Sequence, residues 1–134
     1  MNSKLFLAMT LAVGLAVVPQ VVRAQSAISA KDVLRDDLNG LTGQETIMQA
    51  LEIAPGGVVP WHTHPNGHEI SYLIEGSLTL EVDGQPKRTL KAGEGFHIQP
   101  GTPHSAKNEG SEKARVVVVR LNEKGKPIAQ PFQR

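Results

Sequence analysis

An all-β sandwich or barrel is the fold class this chain predicts, and three observations predict it. After residue 25 no segment of useful length repeats its apolar residues with the helical period. Short alternating runs take their place, cut by turn residues at Pro55-Gly56-Gly57, Pro65-Asn66-Gly67, Asp83-Gly84 and Pro100-Gly101. Aromatic residues make up only 4% of the 134 positions, so the core must be built from Val, Ile and Leu.

The first residues stand apart from this pattern. Lys4 gives a basic start, residues 5–18 are almost wholly apolar, and Pro19 ends the run. Val22-Arg23-Ala24 then offers a small-residue cleavage site before Gln25, the layout of a secretory signal peptide over residues 1–24. An apolar core of about 14 residues falls short of the ~20 that span a bilayer. The expected product is a periplasmic or secreted protein, residues 25–134, with no stable membrane insertion once the signal is cleaved.

That length suits one domain. The chain has no cysteine, which excludes disulfides and thiolate chemistry. Without Lys4 and Arg23 the 14 basic residues become 12 against 13 acidic ones, a formal net charge of −1. A near-neutral chain without a basic run argues against nucleic acid as a partner.

Residues 25–43 are polar, with isolated Val33, Leu34 and Leu38, and read as an N-terminal arm or edge segment. Strands follow over 46–53, 58–64, 69–74, 77–82, 85–90, 95–98, 104–108 and 114–121, within a domain of 44–122. Asp83-Gly84, flanked by alternating Leu78, Leu80 and Val82, is the strongest hairpin signal. Val116 to Val119 form a continuous apolar run, as expected of a strand covered on both faces. Residues 123–134 return to Lys, Gly, Pro and Gln and read as a tail or a flap over the domain.

The chemistry is concentrated in His62, His64, Glu69 and His104. Side chains two apart on a strand share a face, so His62 and His64 point the same way, and Glu69 can turn back toward them after the Pro65–Gly67 turn. Imidazole and carboxylate suit Fe, Mn, Ni, Co, Cu or Zn. His68 immediately precedes Glu69 and His97 alternates with the apolar Phe96 and Ile98, so both are expected to face away. Ser71, Leu73 and Phe96 are expected near the site, Tyr72 in packing, and Asn108 at a turn or strand end.

Gly56, His62, His64, Glu69 and Gly76 match G-x5-H-x-H-x4-E-x6-G without a gap. Gly93, Gly101, His104 and Asn108 match G-x5-P-x-G-x2-H-x3-N, except that Gln99 stands where proline is expected and Pro100 follows it. The chain in this respect resembles the cupins, of the small single-domain type. The resemblance implies a jelly-roll β-barrel and one divalent transition metal held by His62, His64, Glu69 and His104. It implies a small-molecule substrate and a dioxygenase-type reaction, with Glu69 partly detaching to act as base. Metal-dependent lyase or isomerase activity, and simple binding of a small ligand or metal, are the alternatives. A homodimer is expected by the same analogy, with residues 116–119 and 25–43 as candidate contributors.

Overall fold

In the computed structural model, residues 27–134 are described, and the segment read as a signal peptide lies outside them. Ten strands follow one another: β1 (Ile28–Asp37), β2 (Gln44–Ile53), β3 (Val58–Thr63), β4 (Gly67–Glu75), β5 (Ser77–Val82), β6 (Arg88–Lys91), β7 (Gly95–Ile98), β8 (His104–Lys107), β9 (Ala114–Glu123) and β10 (Gln130–Pro131). Their antiparallel pairings make two five-stranded sheets, ordered β1-β2-β9-β4-β7 and β10-β3-β8-β5-β6.

The period-two patterning places the core between the sheets. β4 turns Glu69, Ser71 and Leu73 inward, while Ile70, Tyr72 and Ile74 are exposed on its other side. β9 buries Ala114, Val116, Val118, Arg120 and Asn122. From the facing sheet, Leu78, Leu80, Leu90 and Ala106 complete the apolar cluster. Truncating one such Leu to Ala would cost roughly 2–5 kcal/mol.

Three details differ from the sequence reading. The two sheets do not close into a hydrogen-bonded barrel, because among the described residues each strand pairs only within its own sheet. Val117 and Val119 are only half-buried, since they occupy the outer face of the first sheet and have no second layer above them. The strand expected over 85–90 begins at Arg88, because Asp83 to Lys87 are spent on the turn.

The segment read as an arm or edge is the edge strand β1, paired along β2 with a bulge between Asp32 and Leu34. The residues after 123 return to the domain through β10, which pairs with β3 at His62 and Thr63. Gly56, Gly76, Gly93 and Gly101 all have positive φ. At Gly76 (φ 78°) a side chain would also meet the Lys113 carbonyl, so the β4–β5 reversal admits only glycine.

Asn108 ties the structure together behind the site. Its fully buried amide donates to the carbonyls of Ile53 (2.9 Å) and Glu112 (2.7 Å), and its Oδ1 accepts from Gly110 N–H at 3.0 Å. It fixes the β8–β9 connection to the end of β2, as its place at a strand end suggested.

Candidate metal centre

His62 and His104 are cross-strand partners on β3 and β8, with ring centroids 4.1 Å apart. His64, just past β3, has its ring 4.8 Å from that of His62 and 5.1 Å from that of His104. Glu69 arrives from β4 in the opposite sheet. One ligand atom from each of the four residues lies within 4.8 Å of every other. The residues singled out by their spacing are therefore brought together, and all but His62 are buried.

The protons on these rings are settled by the backbone. His62 Nδ1 lies 2.7 Å from the Pro60 carbonyl, His64 Nδ1 2.5 Å from that of Ile128, and His104 Nδ1 3.0 Å from that of Thr102. A carbonyl can only accept, so each Nδ1 carries the hydrogen, and a neutral ring then has a bare lone pair on Nε2. The buried Nε2 atoms of His64 and His104 have no hydrogen-bond partner. His64 Nε2 does approach Glu69 Oε2 to 2.8 Å, but off the line that a hydrogen bond requires, so this approach joins two acceptors. Acceptors crowded together in a buried space fit a cation between them. The donor set thus passes the chemical test for a divalent ion.

Burial favours the neutral rings. It pulls the His104 imidazole down to about 4 despite the Thr102 carbonyl, and it lowers His62 despite the Pro60 carbonyl. Burial pushes the Glu69 carboxyl up, but the Arg120 guanidinium beside it helps to hold it well below the usual carboxylate range, at about 2. At neutral pH the centre therefore presents neutral imidazoles at His62 and His104 and an ionised carboxylate at Glu69.

Sequence reasoning missed Arg120. It is the cross-strand partner of Glu69. Its Nε and Nη2 lie 3.1 and 2.9 Å from Glu69 Oε2, and its Nη1 donates to Gln49 Oε1 at 2.5 Å. The period-two phase of Val116, Val118 and Arg120 was the available signal. Ser71, expected near the site, donates to Glu69 Oε1 at 3.2 Å. Phe96 lines the cavity with His62, Glu69 and His104, whereas Tyr72 is half exposed on the outer face. His68 and His97 also lie on that outer face, where His68 Nδ1 and His97 Nε2 pair at 3.0 Å, away from the cluster.

Comparison with known proteins gives the family and the fold. Residues 49–120 match the family described as the cupin domain, and the chain belongs to that family. It is 32% identical over 96 residues to germin-like protein subfamily 2 member 2 of Arabidopsis thaliana, covering 69% of this chain and 43% of the relative. It is 42% identical over 67 residues to the tetracenomycin polyketide synthase protein TcmJ of Streptomyces glaucescens, covering 50% of this chain and 44% of the relative. The chain thus spans less than half the length of these curated relatives. Among solved structures, an uncharacterized conserved protein with a double-stranded β-helix domain from Klebsiella pneumoniae superposes with TM-score 0.67 at 21% identity, covering 84% of this chain and 90% of that one. A recombinant oxalate oxidase in complex with glycolate gives TM-score 0.63 at 25% identity, covering 79% of this chain and 55% of that one. These likenesses agree with a jelly-roll fold.

Proposed function

We propose that this chain is an exported cupin metalloenzyme of dioxygenase type, acting on a small oxygen-rich substrate. In this reading His62, His64, Glu69 and His104 hold one divalent transition metal. The observation that carries it is the convergence of His62, His64, Glu69 and His104 within 4.8 Å of one another, with each imidazole Nδ1 turned to a backbone carbonyl. The likeness to germin-like proteins and to an oxalate oxidase supports an oxidoreductase.

A divalent ion bound there would supply a Lewis acid with one or two exchangeable positions for a substrate oxygen. The three backbone carbonyls hold the imidazoles in the metal-binding tautomer. Arg120 and Ser71 fix the carboxylate of Glu69. Its Oε1, which among the described residues is hydrogen-bonded to Ser71, would be the atom that receives a substrate proton. A carboxylate at about 2 is a weak base, so this step calls for an acidic proton such as that of an enol. The apolar lining of Leu78, Leu80, Ala106 and Val118 limits the water that reaches the inner part of the cavity.

Among the described residues lining the cavity, no acid or base stands outside the four candidate ligands and Arg120. That scarcity favours a second reading, binding without turnover. Oxygen uptake by iron-, manganese- or nickel-loaded protein with a panel of small enolic substrates decides between them. Ligand that is bound tightly and recovered unchanged supports the second reading, and turnover without oxygen supports a lyase or isomerase.

The same reading pairs two copies across the outer face of the first sheet. Ile70, Tyr72 and Ile74 are exposed there, and Arg115 with Glu52 and Glu75 supplies charges of both signs beside them. A two-fold pairing sets such a face against itself.

A further inference from the structure

Arg120 is a buried guanidinium, 9% exposed, on a wall otherwise made by Val116, Val118 and Leu51. Burying a charge is costly unless it is paired. Here Glu69 pairs with it on one side and Gln49 on the other, and Gln49 in turn donates to Asp32 at 2.7 Å. With the imidazoles neutral, Glu69 and Arg120 cancel, and the site has a formal charge of zero before any ion enters.

That balance changes when a metal is held. Three neutral rings, one carboxylate, one guanidinium and a divalent cation sum to +2, one unit more than the four ligands and the ion would carry alone. The cavity is only partly open and its wall largely apolar, so bulk water screens the excess incompletely. Anions that enter with the substrate are the available compensation. Arg120 has five N–H donors, and its contacts with Glu69 and Gln49 engage three of them. It lines the same cavity as His62, Glu69 and His104. That cavity offers about 40 Å³ to the centre of a water molecule, against the ~10–15 Å³ that one water needs. A ligand of few heavy atoms fits such a space.

We propose that the site selects small anionic ligands, carboxylates or enolates, and that Arg120 is the residue that sets this charge preference. The proposal rests on the metal-centre reading above and names its substrate class. The guanidinium supplies planar, two-pronged recognition of an oxyanion, a geometry that lysine does not reproduce.

The test uses the full chain loaded with cobalt(II), with metal content measured first. Glycolate and its uncharged analogue glycolamide are then titrated, and binding is read from the cobalt visible spectrum and by calorimetry. Wild-type protein should bind glycolate at least tenfold more tightly than glycolamide. Arg120→Met should lose at least tenfold of the glycolate affinity and most of the preference, and Arg120→Lys should recover part of it. If cobalt binds one per chain but the two ligands bind equally well, or neither binds, the proposal is overturned and the metal centre stands. If cobalt does not bind, the metal-centre reading and the proposal fall together. Should Arg120→Met not fold, the two ligands on wild-type protein decide the matter.

Discussion

His64 Nε2 faces Glu69 Oε2 across 2.8 Å, and in the neutral ring, whose hydrogen goes to the Ile128 carbonyl through Nδ1, neither atom has a proton to offer the other. A cation between them relieves that opposition. Replacing His62 or His104 with Ala should therefore remove most bound metal while the far-ultraviolet spectrum stays that of a folded β protein. Elemental analysis checks this, and full metal content in either variant would refute the ligand assignment. Chelating metal held at 100 times its dissociation constant should cost about 2.7 kcal/mol of stability.

The pH dependence of the metal-free protein follows from His104 and Glu69. His104 is depressed from 6.5 to about 4, so the unfolded chain takes up its proton first as pH falls. Stability from this group is complete above about 6.5 and is lost between there and about 4, on the order of 3 kcal/mol in all. Glu69 is depressed from 4.5 to about 2, so its contribution is lost in a lower window, below about 4.5. Urea midpoints at pH 7 and pH 5 test the upper window, and His104→Ala should flatten it.

Arg120→Met leaves the buried Glu69 carboxylate without its countercharge and should destabilise the fold by roughly 3–5 kcal/mol. Adding Glu69→Gln should recover much of that loss. A double-mutant cycle by denaturant unfolding measures the coupling, and strictly additive losses would show that the pair does not act as a unit.

The C-terminal segment holds the candidate ligand His64 in place. The Ile128 carbonyl fixes the His64 tautomer, the Phe132 amide donates to the Trp61 carbonyl, and the Arg134 guanidinium sits 4.5 Å above the Trp61 ring. Truncation after Pro127 should weaken metal binding ~10–100-fold, the usual effect of removing a ligand's outer partner. Competition with a chromogenic chelator gives the affinity directly.

Asn108→Ala separates support from ligation. Losing these three hydrogen bonds should cost about 3 kcal/mol, with metal stoichiometry unchanged in the protein that still folds. A fall in stoichiometry as large as that of the ligand variants would place Asn108 in the site itself.

Much of the centre was legible because strand geometry converts spacing into direction. The single residue between His62 and His64 puts both on one face, and the odd offset between His68 and Glu69 sends them to opposite faces. Arg120 was hidden because its meaning depends on register. Only the pairing of β4 with β9 sets it opposite Glu69, 51 residues away. The polar residues 28–37 concealed an edge strand because β1 has little apolar face to bury, and most of its side chains are exposed. The two-residue β10 is too short to leave a pattern of its own.

The four candidate ligands divide between the sheets, with three imidazoles borne by one and the single carboxylate by the other. An ion held among them would rivet the two layers. Loosening the sandwich anywhere, even at Leu73 or Leu90 where no ligand is touched, should then appear first as a leak of metal.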